Sequence, residues 1–299
     1  MDVLRLMKVY VTVADESGFA AAARRLSMSP PAVTRAISQL EEHLGVQLLQ
    51  RSTRIVRTTN AGVIYLENAK RILEDVETAN AAITGDSALP TGLLSITAPT
   101  LFGQMFVMPT ITRYLETHPD TRVDAIFLDR VVNMLEEGLD VAVRIGHLPD
   151  SSMRALRVGT VKIILCASPD YIEKHGIPAG PRELSQHSLI SSRALNPIPE
   201  WRFEKNGKTM AVKITPRLSV TSNAAAVDAA RSGFGITRLI SYQVAPYLMN
   251  GSLKTVLEEY EQPSMPIHIL HREGRLTTAK IRSFIDMLAS DLRSNPSLN

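Results

Sequence analysis

The sequence predicts a multidomain protein in which a small α+β domain precedes a larger α/β region. Three observations predict this class: two short helices and a short alternating segment at the N-terminus, a long helical pattern after them, and then strands and helices in alternation. With 299 residues, the chain is long enough for two or three domains. Its 44% hydrophobic and 21% charged residues are typical of a globular protein.

The composition argues against secreted and membrane proteins. The N-terminal segment is apolar but interrupted by charges such as Asp2, Arg5 and Lys8, so we expect no signal peptide. No run of about 18 uncharged apolar residues is present, so we expect no membrane partner. The single cysteine, Cys166, leaves no partner for a disulfide within the chain, and its apolar surroundings VKIILCAS predict a buried strand residue. A cytoplasmic location fits these features.

The positive charge of the chain is confined to its first fifth. Residues 1–60 contain eight basic and five acidic side chains, whereas residues 61–299 contain 25 of each. The whole net charge of +3 therefore arises in the N-terminal fifth. This asymmetry indicates that the N-terminal region meets a polyanion and that the remainder does not.

The first 29 residues predict two helices and a turn. An apolar stripe at helical spacing opens near Asp2 and ends near Gly18, which predicts the first helix. The alanine-rich segment 19–26 predicts a second, shorter helix, and Ser27-Met28-Ser29 predicts the turn after it. Two short helices with a tight turn before the next helix are one way to read DNA.

A third helix is predicted to begin at a pair of prolines. Ser29 suits the N-cap and Pro30 the first helical position, where the missing N–H would have no intrahelical partner. Gly45 is the predicted stop. The apolar face of this helix consists of Val33, Ile37, Leu40 and Leu44. The opposite face carries mostly short side chains that allow close approach to base edges in the major groove, namely Ser29, Pro30, Thr34, Arg35 and Ser38.

The segment 46–59 predicts a two-stranded ribbon, because apolar and polar residues alternate in VQLLQRSTRIVRTT. A helix-turn-helix followed by a basic ribbon is a winged helix-turn-helix, whose wing arginines contact phosphates or enter the minor groove. The candidate DNA-binding residues are Ser29, Pro30, Pro31, Thr34, Arg35, Ser38, Arg51, Arg54 and Arg57. The alternative is an ordinary helical hairpin with a solvated face, and the charge asymmetry favours DNA binding over it.

A long linker helix is predicted from Ala61 to about Ile83, over about two and a half heptads. Its apolar seam consists of Leu66, Ala69, Leu73, Val76, Asn80 and Ile83. Two outer-face pairs have the i,i+4 spacing of ion pairs, Glu67 with Arg71 and Lys70 with Glu74. A core helix of one domain would show the same pattern, but a coiled-coil dimer suits a two-fold operator better.

The remaining two-thirds of the chain alternate between strands and helices after the hinge-like segment GDSALPTG at 85–92. Strands are predicted at 93–98, 122–128, 141–145, 161–167, 218–221, 236–239 and 267–270. Helices are predicted at 100–118, 131–137, 224–232 and 279–292, and Pro109 is expected to kink or split the first of them. This alternation predicts α/β domains with mainly parallel sheets.

The N-terminal residues resemble those of LysR-type transcriptional regulators. The resemblance rests on F-x-x-A-A-x-x-L-x-x-S at 19–29, A-V-T-x-x-I-x-x-L-E-x-x-L-G-x-x-L-L-x-R at 32–51 and T-x-x-G at 59–62. Farther along, the motif DVAVRIG at 140–146 resembles one subgroup of the family. Two positions depart from the family pattern. Thr58 stands where leucine is common, and Pro30 stands where a polar residue such as glutamine is frequent, which removes any base contact made there.

The resemblance implies an architecture for the whole chain. Residues 1–60 would form the winged helix-turn-helix domain, residues 61–91 a dimerising linker helix with a hinge, and residues 92–299 an effector-binding domain. That domain would contain two Rossmann-like subdomains similar to a periplasmic binding protein, formed by 92–162 with 267–299 and by 163–266. The implied function is transcription regulation by an effector-controlled homodimer or homotetramer on a double-stranded operator, an inverted repeat.

The effector site is expected between the two subdomains, because open α/β sheets bind ligands at the carboxyl ends of their strands. Thr100 lies at a predicted helix N-terminus, where its hydroxyl and free N–H groups favour an anion, and the family commonly has a hydroxyl residue here. The other candidate effector-binding residues are Leu101, Arg144, Trp201, Asn223 and Arg238. Alternatives stay open on the residues alone: a packed surface aromatic for Trp201, solvent exposure for Arg238, and a structural ion pair for Arg144.

No motif in the sequence points to catalysis, a metal or a cofactor. Gly233-Phe-Gly235 is not followed by the third glycine of a dinucleotide-binding loop. Of the seven histidines, His268 and His271 are three residues apart, but no third candidate ligand is near them. We therefore expect a regulator and not an enzyme. The alternative class is a solute-binding or enzymatic α/β protein whose N-terminal helices serve only for assembly.

Overall fold

The structure is a computed structural model that describes residues 2–51, 56–84, 89–130, 132–148, 153–193, 200–272 and 278–298. For Arg51, Glu74, Asp75, 77–84 and Arg272 it describes the backbone alone. The chain divides into two compact units, 1–88 and 89–299. Among the described helices, none combines the length and the apolar character that a membrane span requires.

The first unit contains the predicted helices and the predicted two-stranded ribbon. The helices are α1 (Val3–Asp15), α2 (Phe19–Arg25), α3 (Pro30–Leu44) and α4 (Asn60–Thr84). The ribbon consists of the antiparallel strands β1 (Leu49–Arg51) and β2 (Val56–Thr58). Asp2 caps α1, because its carboxylate accepts a hydrogen bond of 3.1 Å from the N–H of Arg5.

The core of this unit lies where α1, α2, α3 and the start of the wing meet. It includes Leu6, Val9, Tyr10, Val13, Ala22, Ala23, Val33, Ile37, Leu40, Leu48 and Leu49. The predicted apolar face of α3 is therefore buried at three of its four positions. The fourth position contradicts the prediction, because Leu44 is 37% exposed. Leu44 is the last helical residue, and the chain leaves the core at Gly45 with a φ of 68°.

Part of the predicted seam of the long helix α4 packs against the core of its own unit. Ala69 is fully buried, and Leu66 packs against the core just described. Ala69 is therefore not available to a second helix, whereas Leu66 is only partly buried and the rest of the seam stays a prediction. Large apolar side chains that α4 exposes are Val63, Ile64 and Ile72. The side chains of the later seam positions Asn80 and Ile83 lie outside the described residues.

The outer face of α4 also pairs differently from the prediction. Lys70 lies with its Nζ 2.6 Å from Oδ1 of Asp15 on α1, and Arg71 donates to Oδ1 of Asn68 at 2.9 Å. The side chain of Glu74, the predicted partner of Lys70, lies outside the described residues. The pair ties α4 to α1, but its side chains are 43% and 41% exposed, so it contributes little to stability.

The described part of the second unit contains twelve strands and six α-helices. The strands are β3 (Gly92–Ala98), β4 (Thr121–Phe127), β5 (Val141–Ile145), β6 (Met153–Val161), β7 (Ile163–Ala167), β8 (Leu189–Ser192), β9 (Glu200–Lys205), β10 (Lys208–Lys213), β11 (Leu218–Val220), β12 (Ile236–Ile240), β13 (Lys254–Val256) and β14 (Met265–Arg272). The helices are α5 (Thr100–Phe102), α6 (Met108–Thr117), α7 (Pro169–His175), α8 (Asn223–Arg231), α9 (Ser241–Met249) and α10 (Ala279–Ser294).

These strands form two five-stranded sheets and a hairpin. The first sheet has the order β4-β3-β5-β14-β6, the second has the order β11-β8-β12-β7-β13, and β9 pairs with β10. In each sheet three neighbouring strands are parallel, and the other two are joined through antiparallel pairings. The α/β prediction is confirmed, but the sheets are mixed and not mainly parallel, because the chain passes from one sheet to the other and back.

The first crossing between the sheets divides one predicted strand into two. The segment 161–167, predicted as one strand, contains parts of two strands. β6 ends at Val161, and β7 begins at Ile163. Lys162 lies between them, and its carbonyl accepts a hydrogen bond of 2.7 Å from the N–H of Ser241. The pattern of the sequence runs through this crossing, because residues on both sides of it are apolar.

The predicted helix at 100–118 is present but contains a π-turn. The helix α5 passes into the π-turn Gly103–Val107, which leads directly into α6. Pro109 has no N–H for the carbonyl four residues before it, and the wider turn accommodates that loss. Gly103 permits a close approach to the next strand, since a Cβ at this position would lie 2.4 Å from the ring of Phe127.

The predicted helix at 131–137 is wrong. Residues 134–138 form turns, and Val131 lies outside the described residues. The side chain of Asn133 accepts a hydrogen bond of 3.1 Å from the N–H of Leu135, and Gly138 ends the segment with a φ of 65°. Because Asn133 competes for backbone donors, the segment stops after a single turn.

Each sheet of the second unit carries apolar side chains on both faces. One face of the first sheet packs against α6 and α10, whereas a smaller cluster around Leu139 and Ala142 covers the other. The second sheet packs against the hairpin and α7 on one face and against α8 and α9 on the other. Cys166 lies in the latter cluster and is fully buried, as predicted, which raises its pKa to about 12. A neutral, enclosed thiol of this kind is a packing residue.

Candidate DNA interface and effector cleft

The third helix begins as the proline pair predicts, but its cap comes from the backbone. Ser29 has extended dihedral angles, and its carbonyl accepts from the N–H groups of Ala32 and Val33 at 2.9 and 3.2 Å. Its hydroxyl makes no capping hydrogen bond, because Pro31 has no N–H to offer at the second helical position. Ser29 is exposed, so its hydroxyl group remains accessible from solvent.

The surface of α3 opposite its core differs slightly from the predicted face. Pro30, Pro31, Arg35 and Ser38 are exposed, as a surface that contacts DNA requires. Thr34 is half-buried, and its hydroxyl donates to the carbonyl of Pro30 at 3.1 Å. Thr34 therefore lies at the flank of the face, and its hydroxyl is already used. The same exposed surface continues along the helix to Gln39 and Glu42, which the sequence analysis missed.

One flank of this surface is a groove between α1 and α3 with a volume of about 720 Å³. Arg35 and Gln39 line it from α3, and Arg5 lines it from the first turn of α1. Acidic side chains, Asp2 and Glu42, also line it, so the groove carries both signs of charge. The recognition surface is therefore cationic at Arg35 and close to neutral toward the end of the helix.

The wing presents one of its three arginines within the described residues. Arg57 is exposed and is the register partner of Gln50, which is also exposed. The side chain of Arg51 and the whole of Arg54 lie outside the described residues. Gln50 was not among the predicted DNA-binding residues. The pairing of β1 with β2 places its polar side chain beside Arg57.

A carboxylate of the recognition helix holds the wing in place. Oε1 of Glu41 accepts hydrogen bonds from the backbone N–H groups of Leu48 and Leu49, at 2.8 and 3.0 Å. Both leucines are buried in the core of the unit. A rotation or shift of α3 therefore carries the base of the ribbon with it, and the two candidate DNA-contacting elements behave as one body.

The base of the wing is also fixed to α4 and α1, through the end of its second strand. The hydroxyl of Thr59 donates to the carbonyl of Gln47 at 2.7 Å and accepts from the N–H of Gly62 at 2.9 Å. The hydroxyl of Tyr10 donates to the carbonyl of Gly62 at 2.8 Å, and burial raises the pKa of Tyr10 to about 12. A Cβ on Gly62 would lie 2.1 Å from the carbonyl oxygen of Leu48. Only glycine permits this approach.

Thr100 lies at the carboxyl end of β3, but its backbone is not free for an anion. Its N–H donates to Oδ1 of Asp129 at 2.9 Å, and its hydroxyl donates to the carbonyl of Phe127 at 3.5 Å. An anion at this N–H would lie against the Asp129 carboxylate. The prediction of a free N–H is therefore wrong at Thr100 itself. The next residue, Leu101, is half-buried and packs against the core of the first sheet.

Two other predicted effector residues lie in the interior of the second unit. Trp201 is 1% exposed and packs between the β9–β10 hairpin and the second sheet. Arg238 is 5% exposed, and its Nη2 donates to the carbonyl of Arg202 at 3.2 Å and to Oε1 of Gln262 at 2.7 Å. Burial lowers the pKa of Arg238 to about 10. Both side chains are almost fully enclosed by protein, which favours a packing role, and their assignment to the effector site stays a prediction.

Asn223 keeps the position of a ligand-binding residue. It is the first residue of α8, is 6% exposed, and its Oδ1 has no hydrogen-bond partner among the described residues. The strand before α8 is β11, and it pairs in parallel with β8, which ends at Ser192. Ser192 is 3% exposed, and its Oγ has no hydrogen-bond partner among the described residues. The two unsatisfied oxygen atoms follow the parallel strands β8 and β11, which is the edge where the effector-binding prediction places Asn223. The sequence signal for Ser192 is only its place at the end of an apolar run.

Arg144 does not join Thr100. It lies on β5 between Val143 and Ile145, which pack on the face of the first sheet that α6 and α10 cover. Since strand residues alternate, the Arg144 side chain is on the opposite face. Burial lowers its pKa, and the nearby Glu137 carboxylate opposes that shift. His268 and Arg157 are its neighbours in the sheet, and the sequence analysis missed both.

Two family models match the chain and together cover most of it. Residues 4–63 match the bacterial regulatory helix-turn-helix proteins of the lysR family, and residues 87–293 match the LysR substrate-binding domain. The first match contains the three helices and the wing described above. The second contains both five-stranded sheets.

Full-length relatives agree with this assignment. An uncharacterized HTH-type transcriptional regulator of Haemophilus influenzae is 32% identical over 94% of this chain and 98% of its own length. The full-length structure of the Vibrio cholerae virulence activator AphB is 26% identical, with a TM-score of 0.62 over 97% of this chain and 99% of that one. The structure of CrgA from Neisseria meningitidis is 28% identical, with the same TM-score of 0.62 and the same coverage of 97% and 99%.

Proposed function

Because this chain belongs to the LysR family of bacterial regulators and is a DNA-binding transcriptional regulator of that type, we propose how its own residues divide the work. The first unit reads a double-stranded operator, and the second unit binds a small-molecule effector that controls it. The observation that carries the proposal is the exposed face of α3, which Glu41 joins to the wing. The chain acts in the bacterial cytoplasm as a regulator and not as an enzyme.

The recognition helix contacts the major groove through Pro31, Arg35 and Ser38. These side chains are exposed and form the centre of the face opposite the core. Arg35 supplies hydrogen bonds to a guanine edge or to a phosphate, and the proline pair supplies apolar contact, for which a thymine methyl group is the suitable partner. Because Pro30 offers no hydrogen bond at its position, we expect a relaxed or apolar sequence preference at the matching base pair.

The wing contributes phosphate contacts. Arg57 is exposed on β2, and its neighbour Gln50 adds a polar side chain that can hydrogen-bond to the DNA backbone. We assign Arg51 and Arg54 the same role from their places in the ribbon. The exposed Val63, Ile64 and Ile72 of α4 support a second copy of this chain as a partner. A homodimer, or a homotetramer built from two dimers, would bind an inverted repeat.

The effector binds between the two sheets of the second unit. Ser192 and Asn223 mark the edge of one sheet with unsatisfied oxygen atoms, and Thr100 and Asp129 mark the carboxyl end of the other. The Asp129 carboxylate favours an ammonium or hydroxyl group at that end and disfavours an anion. An effector that prefers one arrangement of the two sheets shifts the population toward it and thereby changes how the dimer engages DNA.

A salt titration of DNA binding tests the wing assignment. The measurement is the affinity of the full chain for a labelled duplex that carries its selected binding sequence, across a series of salt concentrations. If Arg57 contacts a phosphate, Arg57→Ala lowers affinity for all sequences alike and reduces the slope of log affinity against log salt by about 1. Arg122→Ala is the matched control, since Arg122 is an exposed arginine on β4 of the second unit. An unchanged slope in Arg57→Ala would show that this surface does not meet DNA.

A further inference from the structure

Three cationic residues lie in a row across the first sheet of the second unit. The strand register pairs Arg144 on β5 with His268 on β14, and His268 with Arg157 on β6. On each strand, the residues before and after these positions pack into the core that α6 and α10 cover. All three side chains therefore lie on the other face of the sheet, since strand residues alternate. The arrangement is a single cationic row formed by parts of the chain that are distant in sequence.

The row is electrostatically unfavourable whenever His268 carries a proton, because its two register partners are arginines. Residues directly opposite each other on neighbouring strands have Cβ atoms about 5 Å apart, and like charges at such positions repel. Burial lowers the pKa of His268, and the charges of Arg157 and His147 lower it further. His147 is therefore near enough to His268 for its charge to oppose protonation of that ring. A sheet that places these four groups together gives up stability unless something of opposite charge joins them.

The nearest acidic side chain is already taken. Glu137 lies close enough to Arg144 to oppose the lowering of its pKa. Both of its carboxylate oxygens, however, accept from Arg130, at 2.8 and 3.2 Å. Within the part of the chain that the structure describes, neither Arg157 nor His147 forms an ion pair within 4.0 Å. The cluster therefore keeps an excess of positive charge.

Two nitrogen atoms of the row also lack hydrogen-bond partners. Arg144 donates from Nη1 to the carbonyl of Val143 at 2.9 Å, but its Nη2 is closed off from solvent and has no partner among the described residues. Nδ1 of His268 is in the same condition. Buried polar atoms are nearly always paired in folded proteins. The unpaired guanidinium nitrogen of Arg144 indicates a missing acceptor, and Nδ1 of His268 can donate to the same acceptor when it carries a proton.

We propose that Arg144, His268 and Arg157, with His147 at their edge, bind a small oxyanion such as inorganic phosphate, sulfate or the carboxylate group of a metabolite. An oxyanion offers several acceptor oxygens, and a guanidinium group engages two of them at once. It would satisfy the unpaired nitrogen atoms and neutralise the row in one step. The row lies on the face of the first sheet opposite the one that α6 and α10 cover.

Equilibrium binding to the full chain tests this site directly. The probes are inorganic phosphate, sulfate and acetate, each titrated at constant ionic strength with chloride as the balancing anion, and the readouts are calorimetric affinity and Tm. We expect a tetrahedral oxyanion or acetate to bind the wild type in the millimolar range or tighter, and to raise its Tm. The comparison among the three probes shows whether a phosphate-type group or a carboxylate fits better.

Two variants make the test decisive. Arg157 is exposed, so Arg157→Met leaves the fold intact, and it is expected to weaken binding of the oxyanion at least tenfold. Without added oxyanion, the same variant is expected to melt at or above the wild-type Tm, because it removes a like charge from the row. Arg122→Met, on an exposed position of β4 in the same sheet, is the control and should bind as the wild type does.

Several outcomes would overturn the site. They are an absence of binding by all three oxyanions at 50 mM or more, an equal Tm rise in wild type and Arg157→Met, or an equal loss in Arg122→Met. The proposal does not depend on the assignment of the effector cleft or of the DNA surface. Loss of oxyanion binding in Arg157→Met with unchanged operator binding separates this site from the DNA surface.

Discussion

The two units of this chain expose their functional side chains in different ways. In the first unit, α3 has one buried face and one exposed face, so helical spacing alone predicts most of the side chains that are exposed for a contact with DNA. In the second unit, both faces of each sheet carry apolar clusters, so alternation along a strand does not tell a cleft residue from a core residue. Trp201 and Arg238 illustrate the consequence, because both were predicted for the cleft and both are buried. A polar or aromatic side chain is informative only where one side of its element is open.

The largest expected effect follows from the position of Trp201. If this side chain is a core residue and not a pocket wall, Trp201→Ala lowers the free energy of unfolding of the second unit by about 3–5 kcal/mol. Thermal unfolding of the full chain measures it, and Trp201→Phe should recover much of the loss. A variant that keeps its Tm but loses its response to an effector would reverse our assignment of this residue.

A smaller effect is expected at Gly62, where the first unit depends on a close approach. A Cβ here would lie 2.1 Å from the Leu48 carbonyl oxygen and 2.9 Å from the Tyr10 hydroxyl oxygen. Gly62→Ala should therefore displace the wing, cost about 1–3 kcal/mol, and weaken DNA binding. Gly45→Asn is the control, because nothing lies within 4 Å of its Cβ position and asparagine tolerates its φ of 68°. Equal losses in the two variants would contradict the argument from Leu48.

The smallest expected effect concerns the link between α3 and the wing. Glu41→Ala leaves the N–H groups of Leu48 and Leu49 without their acceptor, which should cost about 1–2 kcal/mol. DNA affinity should fall although Glu41 itself touches no base, because the wing is no longer tied to the helix. Glu42→Ala is the matched control, since Glu42 is exposed on the same helix. Higher DNA affinity in Glu41→Ala than in Glu42→Ala would show that Glu41 acts only by charge repulsion.

Much of the first unit follows from its sequence for local reasons. The N-cap at Asp2, the proline pair at the start of α3 and the stop at Gly45 act within a few residues, so their outcomes were predictable. The heptad seam of α4 was less so. The same spacing describes a helix that packs on its own domain, and the burial of Ala69 shows that this unit uses the seam in that way.

In the second unit, the sequence predicted the class of fold and most of the strands around the parallel core. It missed α7, β8, the β9–β10 hairpin, α9 and β13, and it joined β6 to β7 across Lys162. Only the tertiary structure shows that β6 and β7 belong to different sheets and that β9 and β10 form a separate hairpin. The helix predicted at 131–137 does not form, because the side chain of Asn133 accepts the N–H of Leu135. Helical spacing alone does not show whether a side chain will compete with the backbone in this way.

The sequence by itself determined the helix-turn-helix, the wing, the excess charge of the first unit and the alternation of an α/β domain, because periodicity and capping act over short distances. Only the tertiary structure decided which polar groups are free. Asp129 occupies the N–H of Thr100 from 29 residues away, and β14 places His268 between Arg144 and Arg157. Contacts between distant segments decide such pairings, and the pattern along one segment carries no information about them.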